Sequence, residues 1–490
     1  MLTLLLTVLN LKTVLAISQG VALGIIIGVL PGLSATLGVA LLAPLTFGMD
    51  PGTGLMILLG VYVGAVYGGS ISAILLGIPG TPAAVATVFD GHPMAKRGEG
   101  GRAIGIATIS SFCGGIFGVI LLLLLAKPIS KFGLAFGERE YLALGILALT
   151  AVAQLSGTSL AKGLFAACFG LFVATIGIDE VHGIPRFTFG SVNLLGGIPY
   201  IPVMIGLFAI PECIVNIERL SPRHPKFPPL EKILPSRSVL KKLIKPILRS
   251  AGIGTLTGAI PGTGADIAAI ISYAQGKSLS KHPELFGTGY AEGIACPESA
   301  NNAATGGTMI PLLTLGIPGG AVTAILLGAF MVHGLYPGPL LMLKNADLVY
   351  TLIIGLFVAN VIMLTLGLSA ARFFAKVSQI PPALFIPTIM LLCVAGSFSM
   401  RNNWFDVHIM AISGLLGYCM VKIGIPRAPL VIGMILSGMI ESNLARTVML
   451  CKDNPFKFFT PISSILIVLA ALPFAKAQIM YLYNLLKRVM

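Results

Sequence analysis

The sequence contains few charged residues. Asp, Glu, Lys and Arg make up 10% of the 490 positions, whereas soluble domains contain about 25%. This scarcity excludes an ordinary soluble domain, and the 56% hydrophobic content predicts an all-α polytopic membrane protein with roughly 12 transmembrane helices. We expect the surrounding lipid bilayer to be the first partner of such a chain.

Acidic residues are the scarcest charged type, with 18 Asp and Glu against 32 Lys and Arg, which gives a net charge of +14. The positive residues lie in short loops between apolar segments, as in the cytoplasmic loops of membrane proteins. A basic face with interleaved aromatic residues is missing, and this argues against nucleic-acid binding.

Motifs for catalysis and for ATP use are also missing. The sequence contains no HExxH, no GxxxxGK[ST] and no CxxC, and its six histidines are scattered. We therefore expect neither an enzyme nor an ATP-driven pump, and no cofactor. The seven cysteines lie mostly in apolar segments and are interpreted as small core residues.

Two stretches concentrate glycine, proline and small polar residues in this apolar background. Residues 296–320 read CPESANNAATGGTMIPLLTLGIPGG, and residues 67–83 read YGGSISAILLGIPGTPA. Irregular backbone is tolerated at membrane depth only where it is buried in protein or lines a water-filled cavity. Interrupted hydrophobic segments at matching positions of two halves indicate the substrate site of a transporter.

Three motifs occur twice, in the same order, with about 240 residues between the copies. The chain is therefore interpreted as two inverted repeats with Pro-Gly-broken helices or re-entrant hairpins, residues 1–218 and 250–490. Residues 219–249 form a basic linker, which the positive-inside rule places in the cytoplasm. The motif pairs are Pro31-Gly32 and Pro261-Gly262, GIPG at residues 77–80 and 316–319, and GIPR at residues 183–186 and 424–427.

A helix that restarts after Pro-Gly presents free N–H groups and the positive end of its dipole, which favour a carboxylate. Hydroxyl and amide side chains near the breaks add donors to substrate oxygens. We therefore predict an anionic substrate at the breaks. The predicted substrate-binding residues are Pro31, Gly32, Ser34, Ser70, Gly80, Thr81, Gly262, Thr263, Ser299, Asn301, Asn302, Thr308 and Gly319.

The few acidic residues near the breaks suggest a second ligand. A buried carboxylate must be paired, bound to a metal ion or protonated, and amide and hydroxyl oxygens bind Na⁺ where a helix unwinds. Asp266, Glu298, Asn301 and Thr305 are the candidate Na⁺ ligands, with H⁺ as the alternative coupling ion. The competing interpretation is that these small polar side chains only bridge helices.

The motifs together resemble the large membrane subunit of the tripartite tricarboxylate transporters, the TctA-type family of Gram-negative bacteria. The resemblance covers nearly the whole chain. It is carried by GVLPG at residues 28–32, YGGS at 67–70, GIPGTP at 77–82, Pro261-Gly262, PESANNA at 297–303 and PLLTLGIPG at 311–319.

This resemblance implies a multi-pass permease of the bacterial inner membrane. It would work with a small membrane subunit and a periplasmic solute-binding protein that delivers a carboxylate such as citrate, driven by a cation gradient. An anion channel and a non-transporting structural membrane subunit are the alternatives. The sequence does not determine which carboxylate is carried, which ion is coupled or in what stoichiometry. It also leaves open the orientation of the N-terminus, whether the protein forms a homodimer, and whether it moves by an elevator or a rocking mechanism.

Overall fold

The computed structural model describes residues 8–155, 159–179, 182–218, 230, 232–262, 264–472 and 474. Helices dominate these residues, and the strands found among them, β1 (Gly177–Ile178) and β2 (Pro185–Arg186), form one short antiparallel hairpin. The predicted all-α class is therefore confirmed for this part of the chain. The helices are α1 (Leu11–Val29), α2 (Ala35–Thr46), α3 (Pro51–Leu76), α4 (Val85–Met94), α5 (Gly100–Gly133), α6 (Glu138–Leu155), α7 (Leu160–Ala174), α8 (Val192–Leu195), α9 (Tyr200–Glu218), α10 (Arg237–Ala259), α11 (Gly264–Leu279), α12 (Ala291–Leu315), α13 (Ala321–Val332), α14 (Pro339–Lys344), α15 (Ala346–Ser369), α16 (Ala371–Val377), α17 (Pro382–Ser399), α18 (Trp404–Ile423), α19 (Ala428–Leu450) and α20 (Pro461–Leu472).

Seven helical segments are long and apolar enough to cross a membrane: α1, α3, the continuous segment Pro82–Gly133, α9, α15, α18 and α19. Five shorter apolar helices accompany them in the described residues. These lengths identify a multi-pass membrane protein. The count of about a dozen crossings and the inverted orientation of the halves stay predictions.

The chain divides into two compact units. One combines Met1–Ser130 with Ile201–Cys419, and the other combines Lys131–Tyr200 with Met420–Met490. Each unit thus joins a segment that precedes the predicted linker to a segment that follows it. Helix α10 begins at Arg237, inside the predicted linker, whereas residues 219–229 and 231 lie outside the described residues.

The first unit is built on two closely packed helix pairs, α1 with α3 and α10 with α12. A Cβ atom at Gly24 would lie 2.9 Å from the Val61 Cα and the Ala65 nitrogen, and one at Gly258 would lie 2.9 Å from the Ala304 oxygen. Small residues on one face let helices approach closely in lipid. The small-residue face of α3, formed by Gly60, Gly64 and Gly68, packs against α1 in this way.

The predicted helix breaks are observed at four places. Helix α1 ends before Pro31-Gly32 and α10 before Pro261-Gly262, and their glycines have similar positive φ angles of 83° and 85°. Helices α3 and α12 end at Gly77 and Gly316, with φ angles of 69° and 75°. These are left-handed conformations, which glycine adopts at little cost.

The stretch before the second GIPG differs from expectation. Residues 296–315 are helical throughout as part of α12, despite Pro297 and Pro311. Helix α12 is buried from Gly293 to Thr314. The glycine- and proline-rich composition of residues 296–320 suggested irregular backbone, but the structure shows a buried helix there. Only residues 316–320 are not helical.

The second unit packs α19 against α6 and α7. The β1–β2 hairpin carries Arg186, which belongs to the first GIPR motif and forms a two-point ion pair with Glu441 of α19. Its Nη1 lies 2.5 Å from Oε1 and its Nη2 lies 3.2 Å from Oε2. This geometry, in which both guanidinium nitrogens bind one carboxylate, fixes the hairpin against the helix.

Candidate functional site

The first GIPG corner folds back onto the helices that precede it. The Gly80 N–H donates to the Gly69 oxygen over 3.3 Å. A Cβ at Gly80 would collide with the Gly28 oxygen near the end of α1, and a Cβ at Gly69 would collide with Thr81. The corner therefore rests directly on α3 and on the end of α1, and only glycine allows this contact.

The second corner repeats this arrangement on α10 and α12. A Cβ at Gly319 would lie 2.7 Å from the Gly258 oxygen and from the Thr308 Cα. The Gly319 oxygen accepts from the Gly264 N–H over 3.1 Å, which joins the corner to the start of α11. The Gly320 N–H is satisfied by the Thr323 hydroxyl at 2.9 Å, so the corner leads into a capped helix.

The two corners meet at the first turn of α11. Gly264, which binds the second corner, also lies beside Gly320. Two residues later the Asp266 carboxylate accepts from the N–H of Ala83, in the 3₁₀ turn that follows the first corner. Asp266 is exposed and Gly262 is half-buried, so the meeting point lies at a surface of the unit and not in a closed core.

Helices α3 and α12 cross beside the corners. The Tyr62 and Thr308 hydroxyls are 3.0 Å apart, and the Asn301 side-chain amide donates to the Val66 oxygen over 3.5 Å. The Asn301 and Asn302 side chains are fully buried. These contacts join the two halves of the chain at the point where their corners converge.

Three buried oxygen atoms near this crossing lack a hydrogen-bond donor in the described residues. They are Oγ1 of Thr81, Oδ1 of Asn301 and Oδ1 of Asn302. Buried polar atoms without a partner are rare, and each calls for an explanation such as a bound ion or water. Hydroxyl and amide oxygens are uncharged ligands, and such oxygens suit a hard cation of low charge.

Glu298 lies in a different setting from Asp266. Its carboxylate is fully buried and accepts from the Thr87 hydroxyl at 2.5 Å and from the Ser111 hydroxyl at 3.0 Å. Both hydroxyls belong to the first half of the chain. The part of the chain that the structure describes contains no group of three or more His, Cys, Asp or Glu side chains that could hold a metal ion.

Three of the other predicted site residues are placed as follows. Thr263 lies outside the described residues, and Pro31 and Gly32 are half-buried in the first break.

The other predicted site residues with hydroxyls bind main-chain atoms through them. The Ser34 hydroxyl caps α2 by accepting from the Leu37 N–H. The remaining hydroxyls donate to main-chain oxygens: Ser70 to Tyr67 (2.8 Å), Ser299 to Ile247 (2.8 Å), Thr305 to Asn302 (2.7 Å) and Thr308 to Thr305 (3.2 Å).

Sequence reasoning missed four residues of this region: Tyr62, Thr87, Ser111 and Asn216. The Asn216 side chain lies against Gly32, close to where a Cβ would be. Ser111, Tyr62 and Asn216 lie within apolar runs and carry no motif. Tyr62 could have been found, because aligning the halves on GIPG pairs it with Asn301.

The fold and site define a class of multi-pass membrane proteins in which broken helices of two halves converge, a feature of secondary transporters. The family model for the tripartite tricarboxylate transporter TctA family matches residues 14–432. The chain belongs to this family, as its motifs suggested. It is a family of transporters and not of enzymes, and its members are large subunits of a system with a small membrane subunit and a periplasmic binding subunit.

Two relatives from Agrobacterium vitis support this assignment. An uncharacterised 52.8 kDa protein in the TAR-I ttuC′ 3′ region is 36% identical over 467 residues, covering 94% of this chain and 93% of the relative. An uncharacterised protein in the TAR-II ttuC′ 3′ region is 37% identical over 233 residues, covering 46% of this chain and 96% of the relative. No solved structure matches the chain.

Proposed function

We propose that this protein is the permease subunit of a binding-protein-dependent secondary transporter that imports carboxylates of the citrate class across the bacterial inner membrane. One observation carries the proposal: both GIPG corners meet at the first turn of α11. Main-chain N–H groups and helix N-termini at such a point bind anionic groups. A periplasmic solute-binding protein would deliver the carboxylate, and the small membrane subunit would complete the complex.

The coupling ion is Na⁺ or H⁺ in this proposal. The unpartnered oxygens of Thr81, Asn301 and Asn302 support a Na⁺ site next to the carboxylate. The buried Glu298 accepts hydrogen bonds from two hydroxyls and would bind and release a proton if H⁺ is the coupling ion. Asp266 lies where the corners meet, and its charge would attract a cation toward the substrate site.

We further propose that transport proceeds by alternating access of the elevator type. The two corners are joined to each other through α11 and would move as one body with their bound carboxylate. Structures trapped facing inward and outward test this step. A displacement of Pro79 and Pro318 relative to α15 is expected, and unchanged positions would leave a rocking motion instead.

Reconstitution is the experiment that tests the function. The protein would be placed in proteoliposomes with its small subunit and its binding protein, and the uptake of radiolabelled citrate would be measured with and without a Na⁺ or pH gradient. Gradient-dependent accumulation above the external concentration is expected. Passive equilibration alone would indicate an anion channel. A lack of flux for citrate and other di- and tricarboxylates would indicate a structural subunit.

A further inference from the structure

Asp90 makes contacts that the proposed function does not use. The polar composition of residues 90–102, with three positive charges, is typical of a solvated turn, but the structure differs. Helix α4 continues to Met94, a π-helical turn follows at Ala95–Glu99, and the Asp90 side chain is fully buried. A buried carboxylate needs strong hydrogen bonds, because an unpaired charge is very costly away from water.

The main-chain partners of Asp90 come from one segment of the second half, and a tyrosine of α11 adds a side-chain partner. We call residues 286–290, which read FGTGY and precede α12, the strap. The carboxylate accepts from the N–H groups of Gly287 (3.0 Å), Gly289 (2.9 Å) and Tyr290 (2.7 Å), and from the Tyr273 hydroxyl at 2.9 Å. The φ angles of Gly287 and Gly289, 92° and 97°, turn these N–H groups toward one point.

Arg97 binds the other side of the same strap. Its guanidinium donates to the main-chain oxygens of Thr288 and Gly289, the latter over 2.8 Å. The strap is thus held by a carboxylate on its N–H groups and by a cation on its C=O groups, both from one short stretch of the first half. Such charge-assisted bonds are stronger than neutral ones, and together they form a clamp between the halves.

The clamp closes one side of a cavity. A cavity with a volume of about 340 Å³ is lined by strap residues Gly289 and Tyr290, by Arg102 after the π-helical turn and by Lys242 of α10. Lys242 lies in the basic segment that is expected to face the cytoplasm. Cys296 is fully buried and lies near the strap, because a Cβ at Gly276 would lie 2.7 Å from its sulfur and 3.6 Å from the Phe286 ring.

We propose that the strap is a gate on the linker side of the protein, held shut by Asp90 and Arg97 and opened to release the transported carboxylate. The bonds at Asp90 and Arg97 join segments that lie about 200 positions apart in the chain, and they break together when the strap moves away from α4 and the π-helical turn. This inference rests on the proposed function for its cargo, whereas the clamp itself can be tested without any substrate.

Cys296 supplies a native reporter of strap opening. The full-length protein in lipid nanodiscs would be treated with N-ethylmaleimide, and the labelling rate of each cysteine would be read by mass spectrometry. Asp90→Ala and Arg97→Ala should raise the labelling rate of Cys296 about tenfold or more, since local opening of the strap exposes the buried residues beside it. Lys96→Ala, at an exposed position beside Arg97, is the matched control and should leave the rate unchanged.

Cys213 separates local opening from general loss of structure, because it is buried in α9 of the same unit. Its labelling should stay slow in all variants. An unchanged Cys296 rate in Asp90→Ala and Arg97→Ala would overturn the gate. So would equal rises at Cys296 and Cys213 in the milder variant Tyr273→Phe, which removes one hydroxyl only.

Turnover distinguishes a gate from a static clamp. Wild-type proteoliposomes with both partner subunits would be labelled during citrate uptake driven by a Na⁺ gradient, and again without citrate. Faster Cys296 labelling during uptake, at least about twofold, is expected if the strap opens in each cycle. Uptake without faster labelling would overturn the gate and leave the proposed function intact. An absence of uptake would count against the proposed function, while the variant experiment still decides the clamp.

Discussion

Helices α3 and α12 have the same geometry and different chemistry. Both pack through small residues against a preceding helix, end at a glycine with positive φ, and lead into a GIPG corner. When the halves are aligned on GIPG, however, Leu59 pairs with Glu298, Tyr62 with Asn301, and Val63 with Asn302. At these three positions α3 carries aliphatic or aromatic side chains, whereas α12 carries a carboxylate and two amides.

This difference indicates how the two predicted repeats would build one asymmetric site. The two corners match, and their positions depend on glycines that cannot be replaced without a collision. The amides and the buried carboxylate come from one half only. The other half contributes hydroxyls that satisfy them, as Thr87 and Ser111 do for Glu298.

The largest effect should come from the shared geometry. Gly80→Ala and Gly319→Ala each place a Cβ against main-chain atoms of the preceding helix. Overpacking of this kind costs about 1–3 kcal/mol, and we expect citrate uptake to fall below about a tenth of the wild-type rate. Uptake assays with a melting curve in detergent check this expectation.

Gly252→Ala is the matched control for these two variants, because its Cβ would meet no atom within 4 Å. It should keep both uptake and melting temperature. A large loss in only one of the two corner variants would break the comparison, since it would show that the corners do not contribute equally.

The next effect should come from the amides found in one half only. Asn301→Ala or Asn302→Ala should abolish Na⁺-coupled carboxylate uptake and leave membrane insertion intact, because each removes a buried oxygen that has no donor in the described residues. Asn360→Ala removes a similar buried amide of α15, whose side chain lies against Gly115 of α5, and should retain uptake. Wild-type uptake in either Asn301 or Asn302 variant would remove these residues from the site.

Glu298→Gln should alter the ion dependence of uptake more than its maximal rate. The substitution keeps the size of the side chain and removes its charge, and the amide accepts from one of the two hydroxyls of Thr87 and Ser111 while it donates to the other. Initial uptake rates would be measured across a series of pH values and Na⁺ concentrations. Glu292→Gln, in the first turn of α12, serves as control. Profiles that coincide with the wild type would give Glu298 a structural role.

Asp266→Asn should change the cation dependence in the same assay, with a smaller effect because Asp266 is exposed. The amide retains an oxygen that can accept from the Ala83 N–H, so the corners should stay together. Unchanged Na⁺ and pH profiles would mean that Asp266 only joins the corners.

Tyr62→Phe should have the smallest effect of this series. It removes one hydroxyl contact, with Thr308, and a neutral hydrogen bond of this kind contributes about 0.5–1.5 kcal/mol. Half of that energy, about 0.25–0.75 kcal/mol, corresponds to a factor of about 1.5 to 4, so we expect uptake within about fourfold of wild type. A complete loss of uptake would place Tyr62 in the site itself.

Much of the helix arrangement near the site was predictable from sequence, because Pro-Gly and GIPG act on the local backbone. The breaks at residues 31–32, 77–80, 261–262 and 316–319 occur as predicted. The burial of Asp90 was not predictable, since its donors lie about 200 residues away in the strap. Similarly, nothing in the sequence near Thr87 or Ser111 indicates that Glu298 would be their partner.

Which polar residues bind the substrate also depends on tertiary contacts, which the local sequence does not reveal. The local pattern cannot tell a hydroxyl that caps its own helix, as Ser34 does, from one that faces a ligand. The amides of Asn301 and Asn302 stand out only once the contacts are known, because their oxygens then lack donors while their neighbours' hydroxyls are satisfied.

A structure of the protein bound to citrate in the presence of Na⁺ tests the central claim most directly, since that claim is that both corners hold one carboxylate. We predict density for citrate at the first turn of α11, within hydrogen-bonding distance of main-chain N–H groups from both GIPG corners. Citrate bound to one corner alone, or elsewhere in the protein, would contradict the account.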